Sequence, residues 1–158
     1  METLGIDIGG VIIVQVNDSA DTSLFSKNYL DTVPVTDSFE TIRVLVEQKF
    51  SDRVWLISKC DTRIKMRTLA WLEHHKFWSQ TGVSPDHVRF CKQRLDKVRI
   101  CRKLGITHYI DDRAEILVAM RGAVKNRLLF NPRPRELRKF KSRLRGEKIV
   151  NCWQDVRV

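Results

Sequence analysis

The sequence predicts an α/β domain, a mostly parallel β-sheet covered on both faces by helices. Three observations lead there. Short apolar runs alternate with stretches of helical period. The turn residues between them are spaced for strand–helix–strand units rather than hairpins. Polar residues stand directly after three of the runs, at Asp7, Ser58 and Asp111-Asp112. Those are the carboxyl ends at which such sheets carry their chemistry.

Taken in order, residues 4–8 and 11–16 are apolar runs separated by Gly9-Gly10, a pair that lets the backbone turn sharply. Residues 17–36 are polar with little period, which reads as a long loop, and 14–35 could form a small flap or cap. Phe39, Ile42, Leu45 and Val46 share a helical face. Val54-Trp55-Leu56-Ile57 is a short buried strand ending at Ser58. Asp61 or Thr62 can cap a helix to about Phe77, with Met66, Leu69 and Ala70 directed inward. Residues 87–90 read as a strand, and Val98, Cys101 and Leu104 as a helix closed by Gly105. His108-Tyr109-Ile110 is a strand that stops at Asp111-Asp112. Residues 115–122 read as helix and 127–130 as strand, before Pro132 and Pro134 break the chain. Leu137, Phe140 and Leu144 mark a last helix, spanning about 133–148, whose other face is basic.

The whole chain, residues 1–158 at 18.5 kDa, suits one domain able to bury a core without staples. With 42% hydrophobic and 30% charged residues and a mean hydropathy of -0.30, disorder is excluded. No run approaches a membrane span. The start is acidic where a secretory signal would be basic. Four cysteines without CxxC spacing read as reduced thiols in a cytoplasmic protein, and no Cys/His pattern suggests zinc.

The net charge of +10 is uneven. Residues 1–58 hold four Lys/Arg against nine Asp/Glu, and residues 133–158 hold nine against three. An anionic partner on the basic side follows, with the Arg133 to Lys148 stretch a candidate nucleic-acid contact.

Asp7 and Asp111, with Asp112, offer hard oxygen ligands from two strand ends, the kind that hold Mg²⁺. Ser58 can hydrogen-bond a phosphate oxygen. Lys97 lies near the start of the helix leading to Asp111 and can return as a cation between carboxylate and phosphate. Each residue alone would be an ordinary cap, turn or surface residue. Together they supply the parts of phosphoryl transfer through an aspartyl-phosphate.

Four motifs in this order resemble those of the haloacid dehalogenase (HAD) superfamily over residues 4–131. Leu4-Gly5-Ile6-Asp7-Ile8-Gly9-Gly10-Val11 resembles motif I, and Leu56-Ile57-Ser58 resembles motif II. Lys97, with Lys92 as the fallback, fits the motif III lysine. Tyr109-Ile110-Asp111-Asp112 resembles motif IV. The resemblance implies a doubly wound, Rossmann-like three-layer sheet with at most a minimal cap. It implies a phosphorylated substrate and Mg²⁺, with Asp7 as nucleophile. Asp111 would be the main metal ligand and Asp112 a water-mediated one, while Ser58 and Lys97 would bind the phosphoryl group.

One position departs from the pattern. Gly9 stands where family phosphatases carry the Asp that protonates the leaving group and activates water. Glycine keeps the backbone carbonyl that binds the metal but offers no acid. Two functions follow, a phosphohydrolase of unknown substrate or a catalytically reduced domain that binds a phosphorylated ligand or nucleic acid. Ile6-Asp7-Ile8-Gly9-Gly10 also resembles the first phosphate loop of actin-like sugar kinases. Those need two domains and a second glycine-rich loop, which seven glycines in 158 residues do not supply.

Overall fold

The computed structural model describes residues 1–15 and 23–158. Six strands, β1 (Leu4–Ile6), β2 (Val54–Lys59), β3 (Val88–Cys91), β4 (His108–Asp111), β5 (Asn126–Phe130) and β6 (Lys148–Val150), form one sheet. Its order is β3-β2-β1-β4-β5-β6, and every pairing is parallel. The first strand made is thus a central one, in register with Val54–Leu56 on one side and His108–Ile110 on the other.

Alternation along the strands divides the core. Ile6, Leu56, Ile110 and Leu128 face one layer with Trp71, Phe77 and Trp153. Ile57, Tyr109 and Leu129 face the other with Cys101, Leu117 and Phe140. The first layer takes α1 (Ser38–Leu45), α2 (Thr62–His74) and α3 (Phe77–Thr81). The second takes α4 (Asp96–Leu104), α5 (Ala114–Ala119) and α6 (Pro134–Phe140). Helices on both faces of a parallel sheet make the expected three-layer, doubly wound α/β fold. Gly5 makes room for this at the centre: a Cβ there would sit 2.6 Å from Tyr109 Cδ2. The Tyr109 hydroxyl donates to the Ile57 carbonyl at 3.2 Å.

Several expectations are corrected. The apolar run from Val11 is a buried turn rather than a strand. The Ile8 carbonyl receives the amides of Val11, Ile12 and Ile13 at 3.3, 2.8 and 3.0 Å. The helix after Asp61 stops at His74, because Lys76 takes a left-handed φ of 56° before α3 starts. Its buried face is Ile64, Thr68, Trp71 and Leu72, and Met66 is exposed. The basic helix expected over 133–148 is shorter. It begins with Pro134 at its first turn and ends at Phe140, followed by a 3₁₀ turn, Lys141–Arg143, and then β6. The possible flap at 14–35 falls partly outside the described residues. Its described part carries two 3₁₀ turns, Ser23–Phe25 and Tyr29–Asp31.

Candidate active site

The order of the strands reverses between β1 and β4, which opens a crevice at their carboxyl ends. Asp7 leaves β1 there, its amide donating to the Ile110 carbonyl at 2.9 Å. Asp111 ends β4 and Asp112 follows, while Ser58 arrives on the neighbouring β2. Lys97 comes from the first turn of α4, the helix that feeds β4. Asp7, Gly9, Ser58, Lys97 and Asp112 line a cavity of about 180 Å³. Asp111 lies beneath it, 0% exposed.

Lys97 Nζ donates to Asp7 Oδ1 at 2.7 Å and to Asp111 Oδ2 at 2.9 Å. Asp111 Oδ1 accepts the Arg113 amide at 2.9 Å. One carboxylate oxygen from each of Asp7, Asp111 and Asp112 falls within 4.8 Å of the others. Of three buried carboxylates, two are bonded to the one ammonium, and the balance of charge is negative. Lys92, the fallback, is exposed and reaches neither aspartate.

The titrations reflect that imbalance. Burial pushes the Asp7 carboxyl up to about 6, with Lys97 opposing and the Asp111 charge adding to the rise. Burial, then the charges of Asp111 and Asp7, hold Asp112 well above the usual carboxylate range. Burial works against the Lys97 charge, but the two carboxylates it bonds outweigh that and keep it protonated beyond an ordinary lysine. A small divalent cation fits the oxygen donors and would remove the repulsion among them. Among the described residues, no cysteine or histidine joins this cluster.

The loop after Asp7 is shaped by Gly10. Its φ is +77°, and a Cβ there would lie 2.5 Å from Asp112 Oδ2, so only glycine lets motif I approach the acidic pair. The indole of Trp153 donates to the Val11 carbonyl at 2.8 Å and holds the same loop from the far end of the chain.

Sequence reasoning does not single out Gln15, Phe25, Arg94 or Arg113 among the lining residues. Arg113 had a signal, as the neighbour of the acidic pair, and Arg94 precedes Lys97 by about one turn. Phe25 had none, since only Leu24 accompanies it in a polar stretch. Cys60 also lines the cavity, and burial, with the Asp61 charge, pushes its thiol up to about 11. It is therefore a thiol rather than a thiolate nucleophile.

No known family model and no curated protein matches the chain. Solved structures do. A D,D-heptose 1,7-bisphosphate phosphatase from B. bronchiseptica, crystallised with magnesium and phosphate, superposes with a TM-score of 0.67 at 17% identity, covering 97% of this chain and 94% of that one. The corresponding phosphatase from Burkholderia thailandensis gives 0.65 at 15% identity, over 98% and 94%. A haloacid dehalogenase-like hydrolase from Burkholderia xenovorans gives 0.57 at 16% identity, over 84% of this chain and 60% of that one. The chain thus has the haloacid dehalogenase-like fold.

Proposed function

We propose that this chain is a Mg²⁺-dependent phosphohydrolase working through an aspartyl-phosphate on Asp7. The observation that carries the reading is Lys97, buried at the switch point and bonded to both Asp7 and Asp111. A buried lysine between two carboxylates, with a serine across the cavity, is a seat for a phosphoryl group. The phosphatase neighbours add support from fold. In this reading the protein works in the cytoplasm, where its four free cysteines stay reduced.

When bound by Asp7, Asp111, Asp112 and the Gly9 carbonyl, Mg²⁺ would neutralise phosphoryl charge. The protein's own groups do the rest. Ser58 and Lys97 take up phosphoryl oxygens. Lys97 holds Asp7 Oδ1, which leaves Oδ2 to attack phosphorus. As the Oδ2–P bond forms, the ester P–O bond breaks and its electron pair departs on the alcohol oxygen, which takes a proton from water. A second water then attacks phosphorus, its proton passes to solvent, and the P–Oδ2 bond breaks to release phosphate and regenerate Asp7.

Gly9 sets the limit of this chemistry. No side-chain acid at position 9 protonates the leaving group, a contribution of about 10²–10⁴-fold where present. Aryl and acyl phosphates should therefore be cleaved faster than sugar or nucleoside monophosphates of matched length. Gly9→Asp should raise alkyl phosphate turnover selectively. A panel of both substrate classes with Mg²⁺, run on wild type, Asp7→Asn and Gly9→Asp, tests this. Equal rates on both classes by wild type would mean that another group supplies the proton. Gly9 also favours the second reading, a binding domain without turnover, and inactivity of all three proteins would select it.

A further inference from the structure

Arg113 belongs to two concavities at once. It stands in the wall of the catalytic cavity, and it lines a groove of about 590 Å³ along α6 with Arg133, Arg135, Arg138 and Lys139. A third hollow of about 620 Å³ links them, sharing Gln15 and Asp112 with the cavity and Arg133 with the groove. The Arg133 guanidinium bonds the Gln15 side chain across that link. Arg113 and Arg133 thus join the site to the basic groove that runs along the helix.

Two arginines that precede this stretch are occupied in structure. Arg121 and Arg127 pair with Glu147 at 3.3 and 3.1 Å. Along the groove the one acidic lining residue, Glu136, is turned to the Glu115 amide at 3.3 Å. Among the described residues, none of Arg135, Arg138 and Lys139 forms an ion pair, and all three are exposed. Positive charge left unpaired along a groove, rather than scattered, points to a linear polyanion.

We infer that the groove seats the phosphodiester backbone of a single-stranded nucleic acid whose terminal phosphomonoester enters the catalytic cavity. Three features select that ligand. From Arg133 to Lys139 the helix advances about 9 Å, enough to meet successive backbone phosphates beside the one in the cavity. The cavity, about 180 Å³, takes a phosphate and part of one sugar but not a duplex end. At its mouth Phe25 is 44% exposed and presents a ring on which a terminal base can stack. Its turn is fixed in place, because Arg67 Nη1 donates to the carbonyls of Leu24 and Ser26 at 2.6 and 2.8 Å. Arginine forks bind phosphate oxygens in pairs, so the groove fits backbone and reads no sequence. The seat of the terminal phosphate rests on the phosphohydrolase reading; the groove binds whether or not that phosphate is cleaved.

The test uses the full chain carrying Asp7→Asn, so that nothing is consumed, and a fluorescein-labelled eight-nucleotide strand with a terminal phosphate. Anisotropy with Mg²⁺ should show the strand binding at least ~10-fold tighter than a mononucleotide bisphosphate or a charge-matched acidic phosphopeptide. Three backbone contacts at about 0.7 per phosphate predict roughly an eighteen-fold loss between 50 and 200 mM salt. Adding Arg135→Ala and Arg138→Ala should weaken strand binding about ten-fold. Adding Arg102→Ala and Lys103→Ala, an equal loss of charge at exposed positions of α4, should change it less than about two-fold. Equal effects of the two pairs would overturn the inference, as would equal or tighter binding of the bisphosphate or the phosphopeptide. Phosphate release by wild type is measured alongside. Groove-dependent binding without hydrolysis of any substrate removes the proposed function and leaves this inference. Hydrolysis of small phosphates without groove-dependent binding does the reverse.

Discussion

Glu147 and Asp111 both carry side chains wholly shielded from solvent, and they are compensated differently. Around Glu147 the charge closes on itself. Its Oε1 accepts from Arg127 and Arg121, and its Oε2 from the Arg145 amide. Arg127 also donates to the Val124 and Arg145 carbonyls, at 2.5 and 3.2 Å, so the cluster ties the segment before β6 to β5. Around Asp111 the charge stays open, since Lys97 pairs with Asp7 and Asp111 and leaves Asp112, the third carboxylate of the cluster, without an ion pair among the described residues. A buried charge with all its partners inside the protein holds structure together. One left in deficit is held ready for something from outside, and the domain contains one of each.

The sharpest way to break this contrast is at Asp7. Asp7→Asn removes the proposed nucleophile and should lower Mg²⁺-dependent phosphate release by at least about 10³-fold. Its fold should survive, since one repulsive charge is lost, and circular dichroism against a phosphate-release assay reads both. Glu147→Gln should leave turnover within about two-fold.

Next in size is the cation. Lys97→Met leaves the aspartates without a partner and should cost about 3–5 kcal/mol in chelator-containing buffer. Mg²⁺ should recover more of that loss than it adds to wild type. Glu147→Gln should cost about 1–3 kcal/mol with an ordinary Mg²⁺ response. Denaturant melts with and without Mg²⁺ decide it, and equal Mg²⁺ responses would erase the distinction between the clusters.

Smaller is the pH effect. Without divalent cation, Asp7 titrates near 6 when folded against 3.8 ordinarily. Between those values the folded chain keeps a proton the unfolded chain has lost, so stability falls as pH rises, by up to about 3 kcal/mol from this group. The stability of wild type minus that of Asp7→Asn isolates it from carboxylates such as Glu147 that act oppositely. That difference should decline from about pH 4 to 6, and Mg²⁺ should flatten the decline.

The smallest effect compares two glycines. Gly10 and Gly146 have φ of +77° and +81°, but a Cβ on Gly146 would meet only Arg127 Nη2, at 3.8 Å. Alanine should cost about 1–2 kcal/mol at each for the left-handed backbone. Only Gly10→Ala should also displace Asp112 and weaken Mg²⁺ binding, as calorimetry would show.

Much of the site was legible because parallel sheets place chemistry at strand ends. Asp7, Ser58 and Asp111 each follow an apolar run, so the runs alone position them. Lys97 was legible only through its spacing from Asp111, as nothing local marks a lysine that will be 3% exposed. The inward face of α2 was misread because Thr68 looks polar. Its hydroxyl is spent on the Ile64 carbonyl at 2.7 Å, so the side chain is buried at little cost. The break at Lys76 had no glycine to announce it. β6 is hard to read because only Ile149 and Val150 are apolar in a basic stretch, and its place is fixed from β5, by pairing with Phe130 and by the bond from Arg127 to Glu147.

The bond from Trp153 to the Val11 carbonyl has a consequence in time. The two residues are separated by 142 positions, so the loop after Asp7 is made long before the residue that fastens it. β1 likewise waits for β4, residues 108–111, before its second edge is covered. A ribosome-bound chain halted before residue 153 would hold a sheet whose loop after Asp7 is not yet secured, so its final form waits for that residue.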